Sequence, residues 1–151
     1  MAKATLQQDV SVLSAAKNGL VLLTANDWTL IADKALRREF KPAEQLVQRG
    51  KRPHGLFLLL SGTASVQIPS QQASWTIGPG EVCGEISFLD ELPATADVIA
   101  DAVLQAYFLD RPTLLSLFEL FPHLGSRFYH SLASILSRRL REIIEPQTSK
   151  P

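Results

Sequence analysis

The chain has 151 residues, of which 46% are hydrophobic and 20% charged, and its 15 basic side chains balance 15 acidic ones. This length favours one domain with a sizeable core, and zero net charge argues against a general nucleic-acid binder and against an acidic disordered segment. The single cysteine, Cys83, excludes an intrachain disulfide and a zinc site built from several cysteines.

The charge is unevenly distributed along the chain. Residues 53–110 contain seven acidic residues and no lysine or arginine, whereas residues 1–52 and 111–151 are each net basic. No apolar run approaches the roughly 18–20 residues of a membrane span, and the N-terminus lacks the pattern of a secretory signal. We therefore expect a cytoplasmic protein without membrane contact.

The N-terminal part, residues 7–38, is predicted to be helical. Residues 7–18 form a first short helix that ends at an Asn-Gly pair. A second helix begins after Thr24, because Asp27 three residues later completes a capping-box pattern. Its apolar positions follow helical spacing: Trp28, Ile31, Ala32, Ala35 and Leu36.

The middle of the chain, residues 40–109, is predicted to form strands. Proline and glycine recur every few residues between short runs of strand character. The runs are Gln45–Gln48, Leu56–Leu60, Thr63–Ile68, Ala73–Ile77, Val98–Ala102 and Leu104–Leu109. Many short strands with regular turns predict an antiparallel β-roll (a jelly-roll, or double-stranded β-helix).

Residues 111–145 are predicted to be two helices, which Pro122 separates. The second and longer helix covers Leu124 to Ile144. Residues 146–151 are expected to be a flexible tail. The fold class is therefore α+β: one domain over residues 1–145, in which N-terminal helices and two C-terminal helices flank the β-roll.

The order and spacing of these motifs resemble the cyclic nucleotide-binding domain, the effector module of catabolite-activator-type regulators and of cyclic-nucleotide-dependent kinases and channels. The resemblance extends from about Leu22 to Leu140. The segments that carry it are Phe40–Glu44 with Gln48–Gly50, Leu56–Val66, Gly78–Leu89, Pro93–Val98 and Leu109–Arg111. The third and fourth of these correspond to the phosphate-binding cassette of the family.

The resemblance implies a short helix that starts at Gly84-Glu85, where free backbone N–H groups and the helix dipole suit a cyclic phosphate. It also implies that Glu85 accepts a hydrogen bond from the ribose 2′-hydroxyl. In the family an arginine directly after the cassette proline pairs with the phosphate, but here Ala94 follows Pro93. The candidate ligand-binding residues are Gly84, Glu85, Ile86, Ser87, Ala94 and Thr95.

Ala94 makes a cyclic nucleotide a disfavoured ligand. Asp97 adds negative charge, and a lost hydrogen bond to a charged group is worth on the order of 1.5–3 kcal/mol. We therefore predict a non-catalytic regulatory or sensor module that binds a different small ligand in the β-roll or acts as an interaction module. The alternative is a genuine cyclic AMP or GMP receptor with a displaced cation, for which the candidates are Arg52, Arg111 and Arg127.

Other chemistry receives weaker support. Glu85 can equally be an acid that complements the helix dipole, and Cys83 a small core residue rather than a reactive thiol. A cupin-like metal or sugar enzyme needs clustered histidines, whereas the three here are far apart: His54, His123 and His130. We therefore predict no metal site, no catalytic residue and no assigned cofactor.

The last helix is the predicted contact between two copies of the chain. Its candidate dimer residues are Phe128, Leu132, Ile135, Leu136 and Ile143, and a near-heptad subset is Tyr129, Leu132, Leu136, Arg139 and Ile143. The resembled family dimerises through this helix; the alternative is packing on the chain's own roll. Since about six residues follow the helix, we expect no DNA-reading domain and no nucleic-acid partner, but an unidentified protein partner.

Overall fold

The computed structural model describes residues 2–145 of the chain, and the side chains of residues 5–145. Its helices are α1 (Ala2–Ala15), α2 (Ala25–Lys34), α3 (Glu85–Asp90), α4 (Arg111–Leu120) and α5 (Pro122–Ile144). Its strands are β1 (Leu36–Phe40), β2 (Gln45–Val47), β3 (Gly55–Ser61), β4 (Ala64–Ile68), β5 (Ala73–Ile77), β6 (Val82–Cys83), β7 (Asp97–Ala100) and β8 (Leu104–Asp110). The predicted α+β class is confirmed.

The strands form two four-stranded antiparallel sheets, in the orders β1-β8-β3-β6 and β2-β7-β4-β5. The seven-residue strands β3 and β8 pair along their length, from Gly55 opposite Asp110 to Ser61 opposite Gln105. The two sheets face each other as a roll with flanking helices, which confirms the predicted architecture.

Strand β3 separates two apolar cores. Its side chains alternate, so Phe57 and Leu59 enter the core between the sheets, while Leu56, Leu58 and Leu60 enter the core beneath the helices. The helical core contains the largest fully buried side chains, among them Trp28, Phe88 and Phe128. The cassette helix α3 is therefore fixed between the roll and α5.

Side chains cap the starts of two helices, and the predicted capping box at Thr24 and Asp27 is confirmed. The Thr24 backbone N–H donates to Asp27 Oδ2 at 2.9 Å, and the Asp27 N–H donates to Thr24 Oγ1 at 3.1 Å, so the capping box of α2 is complete. Asp110 caps α4 by accepting from the Thr113 N–H at 2.8 Å. No helix within residues 2–145 is long and apolar enough to cross a membrane.

Three elements differ most from the prediction, while the other strands and α5 shift by at most two residues. α1 begins at Ala2 and ends at Ala15, earlier than the predicted 7–18. Residues 36–40 are strand β1 instead of the end of a helix, because pairing with β8 satisfies their backbone and leaves Leu36 exposed. The two-residue strand β6 is too short to leave a sequence pattern. The predicted tail, 146–151, lies outside the described residues.

Candidate ligand-binding site

The cassette begins with a backbone turn that only glycine adopts easily. Gly84 has φ +86°, and a Cβ there would lie 3.1 Å from the Gly55 carbonyl oxygen. Helix α3 follows directly, with the Phe88 N–H donating to the Gly84 carbonyl at 3.1 Å and the Phe88 ring fully buried. The glycine and the aromatic anchor together fix where Glu85 lies.

All six predicted ligand-binding residues line one cavity. Its volume is about 70 Å³, and the roll contributes Val47, Val66 and Val98 to its apolar walls. Sites for drug-sized ligands usually measure ~300–1,000 Å³. In this conformation the cavity is therefore nearly filled by protein.

Ala94 forms part of the apolar wall of this cavity. Its side chain is buried in the core between the sheets. Its N–H donates to the Lys51 carbonyl and its carbonyl accepts from the Gly50 N–H, both at 2.9 Å. The backbone of the segment is thus fixed to the loop before β3, and position 94 brings no charge to the cavity.

Glu85 is a buried carboxylate with one free oxygen. It is 5% exposed, its Oε1 lies 3.5 Å from Arg139 Nη1, and its Oε2 has no hydrogen-bond partner among the described residues. Burial raises the pKa of Glu85 above its usual value, against the opposing effect of Arg139. This oxygen is available to accept a hydrogen bond from a ligand.

Arg139 is the cation that reaches the cavity, and it comes from α5. Its guanidinium lies 5.6 Å from the centroid of the Trp75 ring, which also lines the cavity. The three arginines considered in the sequence are elsewhere: Arg127 pairs with Asp27, while Arg52 and Arg111 line a different cavity.

Asp97 does not add charge to the cavity, contrary to the prediction. It lies on β7, where Val98 points into the cavity and its neighbours point away from it. The Asp97 carboxylate accepts from the Arg49 N–H at 2.9 Å and from Gln45 Nε2 at 3.3 Å. Its charge therefore fixes the chain around β2.

Cys83 lies in the wall of the cavity and is buried. Burial raises the pKa of its thiol well above the usual value, and the charge of Glu85 raises it further. The thiol is therefore protonated and unreactive at neutral pH. Within residues 2–145, no group of three or more histidine, cysteine or acidic side chains can hold a metal ion.

Arg139 and Trp75 line the cavity but were not among the predicted ligand-binding residues. Arg139 follows Ile135 by four residues, so it continues the stripe of α5 that faces the core, and this spacing is the signal that could have found it. Trp75 lies on a strand of mostly exposed residues and leaves no such signal.

The structure corrects the placement of three predicted dimer residues. Phe128, Leu132 and Ile135 lie in the chain's own helical core and are absent from its surface. The reason is that α5 packs against α3 and α4, with the Phe88 and Phe128 ring centroids 5.8 Å apart. Of the remaining two, Leu136 is half-buried and Ile143 is exposed.

The family model described as cyclic nucleotide-binding domain matches residues 37–120, which is more than half of the chain. The chain belongs to the cyclic nucleotide-binding domain family. The resemblance stated from the motifs is therefore confirmed.

Two curated relatives illustrate the family. Cyclic GMP-binding protein C of Dictyostelium discoideum is 30% identical over 132 residues, covering 80% of this chain and 5% of that protein. The cyclic AMP receptor protein of Thermus thermophilus is 31% identical over 110 residues, covering 70% of this chain and 49% of that protein. The chain thus spans less than half the length of either one.

A solved structure shows the same fold over nearly the whole chain. It is a cyclic nucleotide-binding domain from Methylobacillus flagellatus, with a TM-score of 0.78 and 19% sequence identity, covering 99% of this chain and 86% of that one.

Proposed function

We propose that this chain is a non-catalytic, cytoplasmic regulatory module whose cassette cavity binds a small ligand less anionic than a cyclic phosphate. The observation that carries the proposal is the position of Arg139. It is the one cation among the described residues that line the cavity, and it faces the Glu85 carboxylate. The Arg139–Glu85 pair is neutral as a unit, so the cavity offers no unpaired positive charge to a phosphate.

The lining of the cavity defines the chemistry of the ligand. Valine side chains and Trp75 supply apolar contacts, while the free Glu85 oxygen accepts one hydrogen bond and the Thr95 hydroxyl can donate one. A neutral molecule with a hydroxyl or amide donor fits this set. Entry requires the end of α5 to move, and beyond Leu136 the apolar residues Leu140 and Ile143 are exposed, so little buried surface resists the movement.

Calorimetry with cyclic AMP and cyclic GMP tests the proposal. We expect binding no tighter than the micromolar range for both nucleotides. Nanomolar binding of either would overturn the proposal, because it would require a cation free to pair with the phosphate.

Ala94→Arg is the sharper variant. If the missing arginine limits affinity, the added charge-assisted bond of about 1.5–3 kcal/mol raises nucleotide affinity roughly ten- to hundredfold. Ala102→Arg adds the same charge at an exposed position outside the cavity and should change nothing. If both variants bound the nucleotides more tightly by the same factor, the added positive charge alone would explain the increase. If neither variant bound more tightly, the shape of the cavity would also exclude the nucleotide.

A cyclic nucleotide receptor is the second candidate, and the free buried oxygen of Glu85 favours it. This oxygen lies on the residue that the family resemblance assigns to the ribose hydroxyl, and two of the curated relatives, cyclic GMP-binding protein C and the cyclic AMP receptor protein, are named for cyclic nucleotides. In this case Arg139 leaves Glu85 to pair with the phosphate. Arg139→Ala then abolishes nucleotide binding, whereas under the leading proposal it leaves the weak nucleotide binding unchanged or stronger.

We also propose that the chain forms a homodimer through α5. With three predicted residues buried, the outward stripe consists of the half-buried Leu136 and the exposed Tyr129, Ala133, Leu140 and Ile143, which alternate spacings of four and three residues as in a coiled coil. Leu140 is 56% exposed, so Leu140→Glu should give monomers by light scattering without unfolding the chain. Leu120→Glu, at a 73% exposed position on α4, is the matched control. An unchanged mass for Leu140→Glu contradicts the dimer.

A further inference from the structure

A second and larger cavity lies beside the C-terminal half of α3. We propose that it binds a small amphipathic carboxylate, with an anionic head at Arg52 and His54 and an apolar tail against Leu92 and Leu115. The cavity measures about 700 Å³ and shares only Ser87 with the cassette cavity among their lining residues. This site is separate from the cassette, so the proposal does not depend on which ligand the cassette takes.

Size and lining fit a ligand with an apolar body. The volume is within the usual ~300–1,000 Å³ of small-molecule sites, unlike that of the cassette cavity. Its apolar lining consists of Pro53, Phe88, Leu92, Pro112 and Leu115. Leu92 is 56% exposed in the empty cavity, so a bound alkyl or aryl group would remove apolar surface from water.

Arg52 is the cation at this cavity that can receive an anion. Of the two acidic residues at the cavity, Asp110 has both carboxylate oxygens bound to Thr113, at 2.8 and 2.9 Å, and Glu91 lies 3.5 Å from Arg111. Arg52 has neither an ion pair nor a hydrogen bond in the part of the chain that the structure describes. A carboxylate head would supply the missing partner of Arg52.

The site is also pre-formed. Arg111 Nε donates to the Phe88 carbonyl at 3.1 Å, and its guanidinium lies 5.6 Å from the centroid of the Phe88 ring, so this cation is held in place without a ligand. His54 and Glu91 both have positive φ, 63° and 60°, and they are two of the four non-glycine residues with this conformation within residues 2–145. At Glu91 this conformation is the C-terminal cap of α3, whereas at His54 it is backbone strain of the kind retained mostly at functional positions.

Octanoate is the probe that tests the proposal, followed by amide chemical shifts in NMR. We expect saturable one-to-one binding with a Kd on the order of 1 mM or tighter, with shifts concentrated in residues 52–55 and 87–92. Acetate has the head without the tail, and 1-octanol has the tail without the charge, so both should bind at least about tenfold more weakly. No saturation by octanoate, or equal binding of 1-octanol, overturns the proposal.

Surface variants separate a built site from general attraction. Arg52→Ala and Leu92→Ser change exposed side chains, so the chain should stay folded, and each should weaken octanoate binding about fivefold or more, or ~1 kcal/mol. Arg49→Ala removes a charge from the same loop at a residue that does not line the cavity, and it should leave the Kd unchanged. If Arg49→Ala weakened octanoate binding as much as Arg52→Ala does, the effect would be long-range electrostatic attraction. That result would refute the proposed site.

Discussion

Two buried carboxylates, Asp27 on α2 and Glu85 on α3, each face an arginine of α5. They differ in how many hydrogen bonds their oxygens accept. Asp27 is 2% exposed and Glu85 is 5% exposed. The Asp27 carboxylate accepts from Arg127 Nε at 2.6 Å, from Arg127 Nη2 at 2.9 Å and from the Thr24 N–H at 2.9 Å. Glu85 has a single contact with Arg139 at 3.5 Å and a free second oxygen.

The pKa values of the two carboxyls move in opposite directions for this reason. Hydrogen bonds from Arg127 hold the pKa of Asp27 below its usual range, whereas burial raises the pKa of Glu85. A carboxylate whose two oxygens are both hydrogen-bonded, like that of Asp27, holds its two helices together. A carboxylate with a free oxygen at a cavity, like that of Glu85, can accept a hydrogen bond from a ligand in place of its arginine. α5 is thus fixed near Arg127 and can be released near Arg139.

The largest expected effect is the difference in stability between Asp27→Asn and Glu85→Gln. Each change removes one charge with little change in shape. Asp27→Asn weakens hydrogen bonds to a charged group, which costs about 2 kcal/mol in the free energy of unfolding. Glu85→Gln should stay within about 0.5 kcal/mol of the parent at pH 7, since it removes a charge that burial already disfavours. Urea unfolding of both variants measures the contrast.

An equal loss in the two variants would contradict the comparison, because Glu85 would then be as firmly bonded as Asp27. Asp33→Asn on the same helix as Asp27 is the control for charge alone, since Asp33 is exposed. It should change the free energy of unfolding by no more than ~0.5 kcal/mol.

A smaller effect concerns the pH dependence of stability, which has opposite signs at the two sites. The lowered pKa of Asp27 means that its contribution is present above the ordinary value of 3.8 and is lost as the pH falls through the folded-state pKa. The raised pKa of Glu85 means that stability falls as the pH rises from the ordinary value of 4.5 through the folded-state pKa.

Unfolding free energies measured across the acid range test both signs. The free energy of unfolding of Glu85→Gln should increase relative to that of the parent as the pH rises above 4.5. The stability that Asp27→Asn loses relative to the parent should become smaller as the pH falls below 3.8. Parallel curves for the parent and Glu85→Gln would show that the Glu85 carboxyl titrates normally.

Sequence analysis predicted the fold correctly because its signals are local or ordered along the chain. The capping box of Thr24 and Asp27 involves neighbours three residues apart, and the turn glycine at position 84 has a fixed place before α3. Helical spacing failed at Leu36, where the same apolar residues also suit a strand, and only pairing with β8 decides between the two.

The charge pattern of the sequence does not show which residue supplies a cation to the cavity, whereas the tertiary structure does. The cation-free segment 53–110 predicted a roll without a phosphate-binding charge, and the cavity receives its cation from Arg139, 54 residues after Glu85 in the chain. No local pattern encodes that contact, because it depends on the path of α5 across the roll. The arginines considered as displaced cations, Arg52, Arg111 and Arg127, carry the required charge but do not line the cassette cavity.

The smallest expected effect is the opening of the cassette cavity in Arg139→Ala, for which Cys83 is a built-in reporter. This cysteine is the only one in the chain and lines the cavity, so a thiol reagent can reach it only when the protein there opens. Loss of Arg139 leaves the buried Glu85 carboxylate without its cation, so labelling of the native protein should speed at least about twofold.

Arg138→Ala is the matched control, because Arg138 is the adjacent residue of α5 and donates to Asn18 Oδ1 at 2.9 Å without lining the cassette cavity. It removes the same charge and should leave the labelling rate of Cys83 unchanged. If both variants speed labelling equally, α5 opens as a whole. Such a result would contradict the comparison of the two arginines. If the Arg127 end of α5 is fixed, only the Arg139 contact should control access to the cavity.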